Sequence, residues 1–418
     1  MTKQTTLADL DLAPGATDWM DRPSVQAVMA ALGDKARFVG GCVRNAILGA
    51  PVHDIDVAVA ARPQDAVQRL KEAGLRVVET GLAHGTVTAV TDGEAIEVTS
   101  LRADVETDGR HAVVRYTDDW DEDWRRRDFT MNAIYVDRSG AVFDPAGGVA
   151  DAKAGRVRFI GEAADRIQED YLRILRFFRF HAWYGRGAMD ADALAACARL
   201  KGGVADLSGE RVRAELFKLL GADAPGETLR AMAQAGVLPL ASPPPYDFRA
   251  LERFADIRRT ETGAGGVSAA LALAALCPTA GDSVADRLRL SRAERQTLAA
   301  SSAAGGEAAA PETNAIRRGI YRKGRQTTCA GLMLAWARGA ADVADAAWDA
   351  ALAFAQSEPI PKFPLSGADA MAAGLPEGPA IGAALAAVED AWIADDFRSD
   401  RAALLRELAA TASGRSTR

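Results

Sequence analysis

Histidine is scarce in this chain: 418 residues contain four, His53, His84, His111 and His181, and none follows position 181. No Ser–His–Asp arrangement is forced by so few, and a histidine-rich phosphohydrolase site cannot be built in the second half. His53 adjoins Asp54 but would point to the opposite face of a strand, so it reads as structural rather than as a ligand. Cysteine is equally sparse. Cys42, Cys197, Cys277 and Cys329 lie far apart with no CxxC pair, which argues against zinc and against a disulfide framework, and fits a reducing cytosol. Long apolar runs are missing as well. None reaches the roughly 18 residues of a membrane span, and "MTKQTTLADLDLAPG" has no apolar signal core, so no membrane contact and a cytoplasmic location are expected. Aromatics make up only 6%, while alanine abounds from Ala188 onward, favouring helices in the second half. A positive excess is absent too. The net charge is −7 and the pI about 5.4, against the usual balance of a nucleic-acid binder. Two local stretches run the other way. "RRGIYRKGR", Arg317 to Arg325, has five basic residues and no acid, and Lys153 to Arg179 has seven basic against four acidic. Each, taken alone, reads first as a solvated charged face.

The length exceeds the roughly 100–200 residues of one domain. Residues 22–145 read as α/β. "SVQAVMAALG", "CVRNAILG" and "PQDAVQRLKEAG" have helical patterns, whereas "ARFVGG", "DIDVAVA" and "AIEVTSLR" have strand patterns. "AVVRYTDDWDEDW" reads as a polar, mobile segment. From "ADRIQEDYLRILRFFRFHAWYG" onward the period is helical. "SPPPYD" interrupts the chain near Pro243–Pro245, "AASSAAGGEAAAPE" has loop composition, and "SEPIPKFP" precedes a last helical stretch.

Chemistry concentrates in "FVGGCVRNAILGAPVHDIDVAVA", Phe38 to Ala60. Alternation puts Ile55, Val57 and Val59 towards a core, and Asp54 and Asp56 together on the other face, where they can share divalent cations. Gly40 and Gly41 before a helix allow backbone N–H groups to approach a phosphate, and Arg44 adds a bidentate grip. Neither a P-loop nor a GxGxxG fingerprint is present. A phosphate cradle beside two carboxylates points to a nucleotide and magnesium. Glu97, flanked by Ile96 and Val98, is placed to bring a third carboxylate to the same face, as two-metal phosphoryl transfer needs. In "DWRRRDFTMNAI", Arg126 and Arg127 suit triphosphate or RNA backbone, Asp128 suits ribose hydroxyls and Asn132 a turn; a helix start capped by Asp128 is the plain alternative. In "RIQEDYLRILRFFRF", Asp170, Arg173 and Arg176 are three apart and would line one helix face, continued by Arg179. An amphipathic helix with internal salt bridges has the same spacing.

In this order, "VGGCVRNAILG…DIDVA", "HGTVTAV…IEVTSLRAD", "TDGRHAVVRYTDDWDEDWRRRDFTMNAI", "FDPAGGVADAKAGRVRFIGEAADRIQEDYLRILRFFRF" and "SGERVRAELFKLL" resemble the class II CCA-adding enzyme and bacterial poly(A) polymerase family, closely from Arg37 to Leu220. The resemblance implies an α+β fold: a nucleotidyltransferase (polymerase-beta-like) head with a mixed sheet, then an all-α neck, body and tail. The expected boundaries are 1–145, 146–240, 241–330 and 331–418. It implies Asp54, Asp56 and Glu97 as ligands of two Mg2+ ions, and Gly40, Gly41 and Arg44 against the nucleotide. Arg126, Arg127, Asp128 and Asn132 would serve triphosphate and ribose. Asp170 and Arg173 would read the base, with Arg176 and Arg179 near phosphates or RNA. The substrates implied are CTP, ATP and the 3′ end and acceptor stem of tRNA, with poly(A) synthesis, or addition of only C or only A, as the alternative. Two positions depart from the family pattern: Asn45 where Asp is frequent, which keeps an acceptor and loses a charge, and Tyr171 where Pro is frequent.

Overall fold

A computed structural model of the protein describes residues 5–82, 85–106, 113–260, 269–279, 281–302 and 310–413. They divide into two compact units. The first comprises residues 1–244 and 283–290, the second 245–282 and 291–418.

The first unit opens on a seven-stranded mixed sheet. Its strands are β1 (Ala36–Val39), β2 (Ile55–Val59), β3 (Arg76–Gly81), β4 (Thr86–Thr91), β5 (Glu94–Ser100), β8 (Tyr135–Val136) and β9 (Val142–Phe143), in the order β3-β4-β5-β2-β1-β8-β9. Only β2 and β5 run parallel. β6 (Arg102–Glu106) and β7 (Val113–Tyr116) form a separate antiparallel ribbon. The segment expected to be irregular thus supplies a strand and then helix α4 (Trp120–Arg125). Asp119 caps that helix by accepting from the Asp121 N–H. After Asp128 comes only the short helical turn Thr130–Asn132, whose cap position is Phe129, so Asp128 is not a helix cap.

One sheet face is covered by α1 (Pro23–Leu32) and α3 (Pro63–Glu72), each opened by a proline whose missing N–H a first turn does not need. Val28, Met29, Leu32, Phe38, Val57, Ala66 and Leu70 are buried there. On the other face lies a cluster of Val39, Ala58, Ala60, Leu101 and Tyr135, flanked by Trp120, Trp124 and Phe143. Helix α2 (Gly41–Leu48) follows β1 directly and ends on Gly49 in the left-handed conformation.

Helices α5 (Gly148–Ala154), α6 (Ala163–Glu169), α7 (Leu172–Tyr184), α8 (Ala191–Leu200) and α9 (Gly209–Leu220) complete most of this unit. α7 buries Ile174, Leu175, Phe177, Phe178 and Phe180. Phe129, Phe159, Phe177 and Phe180 pack ring on ring at 4.9–5.9 Å, joining α7 to the head. The expected continuous helix through Asp170 is not formed: α6 stops at Glu169, Asp170 is extended at φ −155, and α7 starts after Tyr171. The Asp170 side chain drives the break. It accepts from the Leu172 N–H at 3.0 Å, a local bond that competes with helix continuation.

Among the described residues of the second unit the regular elements are all helices. Phe248–Thr260, Arg325–Arg338 and Ala346–Ser357 pack around a buried Trp336–Trp348 stack. Gly367–Ala372, Pro379–Ala394 and Arg401–Ala412 close on Ala370, Val388, Trp392, Leu404 and Leu408. Half of "AASSAAGGEAAAPE", residues 303–309, lies outside the described residues; its first four residues end the helix Arg292–Ser302. No described helix is long and apolar enough to cross a membrane.

Candidate active site

The acidic strand pair sits at the middle of the sheet. Asp56 of β2 stands directly opposite Glu97 of the parallel β5, and Asp54 lies just before β2, exposed. Ile55, Val57 and Val59 are buried as the alternation predicts, and so is Ala58 on the acidic face. Burial raises the Asp56 carboxyl to about 6; Glu97 and Asp54 add to the rise, and Arg127 and Arg44 oppose it. Asp54, Asp56 and Glu97 offer the hard oxygen donors that Mg2+ prefers. They fit such an ion in kind. Among the described residues, though, no three His, Cys, Asp or Glu side chains converge into a ready-formed cage.

The glycine turn abuts this pair. Gly40 has φ +74, which glycine adopts freely, and a Cβ there would stand 3.7 Å from Asp56 Oδ2. Arg44, one turn into α2, is only 7% exposed. Its Nη1 donates to Asn132 Oδ1 at 2.7 Å, and Nη2 to Asn45 Oδ1 at 3.0 Å and Tyr184 Oη at 2.8 Å. Its Nε is buried without a partner. Asn45, the family departure, uses its Oδ1 on Arg44 and its Nδ2 on the Pro51 carbonyl, so it needs no charge.

The three arginines of "DWRRRDFT" divide. Arg125 is exposed, paired with Asp121. Arg126 and Arg127 both grip Asp123: Arg126 Nε at 2.9 Å, Arg127 Nη2 at 3.0 Å. Tyr135 Oη donates to Asp123 at 2.7 Å and accepts from Arg127 Nε at 2.8 Å. Burial alone would raise the Asp123 carboxyl; Arg127 and Arg126 outweigh it and hold it down to about 2. Asp128 is similar. Burial pushes it up, but Arg176, donating from Nε at 2.8 Å, and Asn132 at 3.0 Å bring it down to about 2.

Asp170 and Arg173 are near in sequence but separately held. Asp170 Oδ2 accepts from Arg211 of α9 at 2.7 Å. Arg173 donates to Glu169 at 2.6 Å and to the Arg166 and Arg126 carbonyls at 3.0 Å. Arg173, Arg176 and Arg179 do share a face of α7. Arg179 pairs with Glu215 of α9 and lies 4.3 Å from the Phe180 ring centre. The residues missed by sequence reasoning are these partners: Asp123, Tyr135, Glu169, Tyr184, Arg211 and Glu215. Only Asp123 and Glu169 carry a local signal, acids three or four residues before an arginine.

His84 and His111 lie outside the described residues. His53 is exposed before β2. In "RRGIYRKGR", Arg317 pairs with Glu358 and Asp396, Arg322 with Asp390, and Arg325 donates to the Ala355 and Glu358 carbonyls. Part of that basic stretch is therefore internal scaffolding.

A mixed sheet with parallel acidic strands, a glycine turn and an all-helical remainder defines a nucleotidyltransferase head followed by helices. Residues 36–158 match the family model described as the poly A polymerase head domain. Residues 188–243 match a region described as a probable RNA and SrmB-binding site of polymerase A. The human mitochondrial CCA tRNA nucleotidyltransferase 1 is 46% identical over 190 residues, 44% of this chain and 43% of its own. The CCA-adding enzyme of Geobacillus thermodenitrificans is 38% identical over 209 residues, 49% of this chain and 50% of its own. The chain thus spans about half the length of the curated relatives it matches. Among solved structures, the Bacillus stearothermophilus CCA-adding enzyme in complex with CTP superposes with a TM-score of 0.71 at 25% identity, over 94% of this chain and 99% of that one. The Thermotoga maritima CCA-adding enzyme complexed with tRNA shares the fold, with a TM-score of 0.64 at 20% identity, over 98% of this chain and 100% of that one.

Proposed function

We propose that the protein is an RNA 3′-nucleotidyltransferase that builds or repairs the CCA end of tRNA from CTP and ATP. The observation that carries the reading is Asp56 opposite Glu97, with Asp54 beside them and Arg127 and Arg44 acting on the same carboxylate. The 3′-hydroxyl attacks the α-phosphate in line and pyrophosphate leaves. Asp54, Asp56 and Glu97 would hold two Mg2+ ions, which when bound lower the pKa of the attacking hydroxyl and neutralise the leaving oxygens. Gly40 and Gly41 keep the backbone close to the nucleotide. Arg127 and Arg126, fixed by Asp123, present positive charge to the triphosphate without reorganisation; Asp128 and Asn132 face the ribose. Arg44 serves the nucleotide through position rather than as a free phosphate clamp.

Asp170 and Arg173 read the base. Cytosine and adenine both place an exocyclic amine beside a ring nitrogen acceptor. A carboxylate accepts from the amine and a guanidinium donates to the ring nitrogen. Both residues retain capacity for this, since Arg173 has five N–H donors and Asp170 about four acceptor sites. Uracil and guanine set a carbonyl against Asp170, at a cost of about 1–3 kcal/mol for an unpaired buried acceptor. The names of the CTP-bound and tRNA-bound neighbours support these partners. A division into head (1–145), neck (146–240), body (241–330) and tail (331–418), with RNA followed by shape along the helices, and a cytoplasmic location belong to the same reading.

The test uses tRNA transcripts ending before CCA, after C and after CC, each incubated with Mg2+ and single labelled nucleotides, then with CTP and ATP together. Growth by C, C and A that stops there is expected. A long A tail on any RNA would move the protein to poly(A) polymerase, and C alone or A alone to a divided system.

A further inference from the structure

We propose that Tyr184 is a positioning residue whose hydroxyl latches the end of α7 to Arg44, holding the glycine turn beside Asp56 in step with the helix that carries Arg173 and Arg176. The proposal rests on the nucleotidyltransferase reading for its kinetic consequence, and on geometry alone for the latch.

The hydrogen bonds close a ring. Tyr184 Oη accepts from Arg44 Nη2 at 2.8 Å, across 140 residues of sequence. Arg44 Nη1 donates to Asn132 at 2.7 Å, Asn132 donates to Asp128 at 3.0 Å, and Asp128 accepts from Arg176 at 2.8 Å. Tyr184 and Arg176 both belong to α7, two helical turns apart. The ring therefore starts and ends on one helix and passes through α2 and the turn Thr130–Asn132 on the way. Each member is buried or half-buried, so water replaces none of these bonds cheaply. The Arg44 guanidinium also lies 4.1 Å from the Tyr184 ring centre and 5.3 Å from that of Phe180. Aromatic contact holds it in place, and the hydroxyl fixes its direction. One turn before Arg44, α2 begins on the turn that borders Asp56. A shift of α7 on engaging a base is thus passed to the catalytic carboxylates through Arg44.

Tyr184→Phe keeps both ring contacts and removes only the acceptor. A bond to a charged donor of this kind is expected to be worth about tenfold. The variant should lower kcat for both C and A addition about tenfold with KM for tRNA unchanged. Amide hydrogen exchange should quicken in residues 41–48 and 130–132. Trp183→Phe is the control: its exposed indole donates to the Lys218 carbonyl, away from the ring, and both readouts should stay at wild-type values. Unchanged exchange in both segments overturns the latch, whatever the rates. Faster exchange with unchanged kcat overturns its part in the reaction. If the wild-type protein extends none of the tRNA ends, the functional reading fails, and hydrogen exchange alone then decides the latch.

Discussion

At the scale of single residues, Asp56 is where burial and charge conflict. Its carboxyl titrates near 6 because it is buried beside Glu97 and Asp54. A carboxyl raised in the folded state loses stability as the pH rises from its unfolded value near 4 through its folded one, since over that range only the unfolded chain ionises freely. Without divalent cations the protein should therefore lose stability between about pH 4 and pH 6, and Asp56→Asn should melt higher than wild type at pH 8. Mg2+ should raise the melting temperature of the wild type by mass action and that of the variant far less, while nucleotide addition by the variant falls at least about a hundredfold, the scale of a lost transition-state charge contact. A variant that melts lower at pH 8, or that keeps its rate, refutes the assignment. Asp170→Asn tests the base reader. An amide turns one acceptor into a donor, so discrimination of CTP over UTP should drop about tenfold or more, read by single-nucleotide incorporation. The acids and glycines of this site were legible because a strand's alternation and a glycine pair before a helix are local signals. Tyr184, Glu215 and Arg211 were not, because each meets its arginine or acid across 36 to 140 residues.

At the scale of elements, the stretch from α4 through β8 is held by two buried carboxylates that act as hubs. Asp123 collects Arg126, Arg127 and Tyr135; Asp128 collects Arg176, Asn132 and the Phe129 N–H. Both are held at about 2. A depressed carboxyl contributes stability that is fully present above its unfolded value near 4 and is lost as the pH falls towards 2. Each shift corresponds to about 2 kcal/mol. Unfolding should therefore steepen sharply below about pH 4, and Asp128→Asn should remove part of that acid dependence while lowering stability at pH 7; an acid limb identical to wild type would refute the hub. Elements with one clear period, α1, α2, α3, β1, β2 and β5, were readable from the sequence. The β6–β7 ribbon was not, because charged and polar residues dominate "AVVRYTDDWDEDW" and mask its pairing. The break at Asp170 was not, because a side-chain bond to the Leu172 N–H outweighs an otherwise unbroken helical pattern.

At the scale of the whole molecule, the chain leaves its first compact unit at Pro244 and returns to it for residues 283–290. The proline run announces the exit. Nothing in "SVADRLRL" announces the return, since that segment reads as one more short amphipathic helix. Its role is set by Arg287, whose guanidinium donates to three carbonyls, Leu240 at 3.1 Å, Leu207 at 3.2 Å and Val204 at 2.9 Å. Gly209, at the start of α9, lies so close that a Cβ would stand 2.3 Å from the Arg287 carbonyl, and Arg213 of α9 donates to the Arg289 carbonyl at 2.8 Å. α9 is the helix that supplies Arg211 to Asp170 and Glu215 to Arg179. A truncation at Pro244, which composition alone would choose as the domain end, deprives those three carbonyls of their shared donor and α9 of its neighbour. Fragment 1–244 should melt well below fragment 1–290, and Arg287→Ala in the full chain should destabilise the first unit by about 2–3 kcal/mol, the scale of hydrogen bonds to one charged group. Because α9 holds Asp170 of the proposed base-reading pair through Arg211, the same substitution should cost more in discrimination of CTP over UTP than in binding of tRNA. Equal melting of the two fragments would mean that residues 283–290 rest against the first unit without stabilising it.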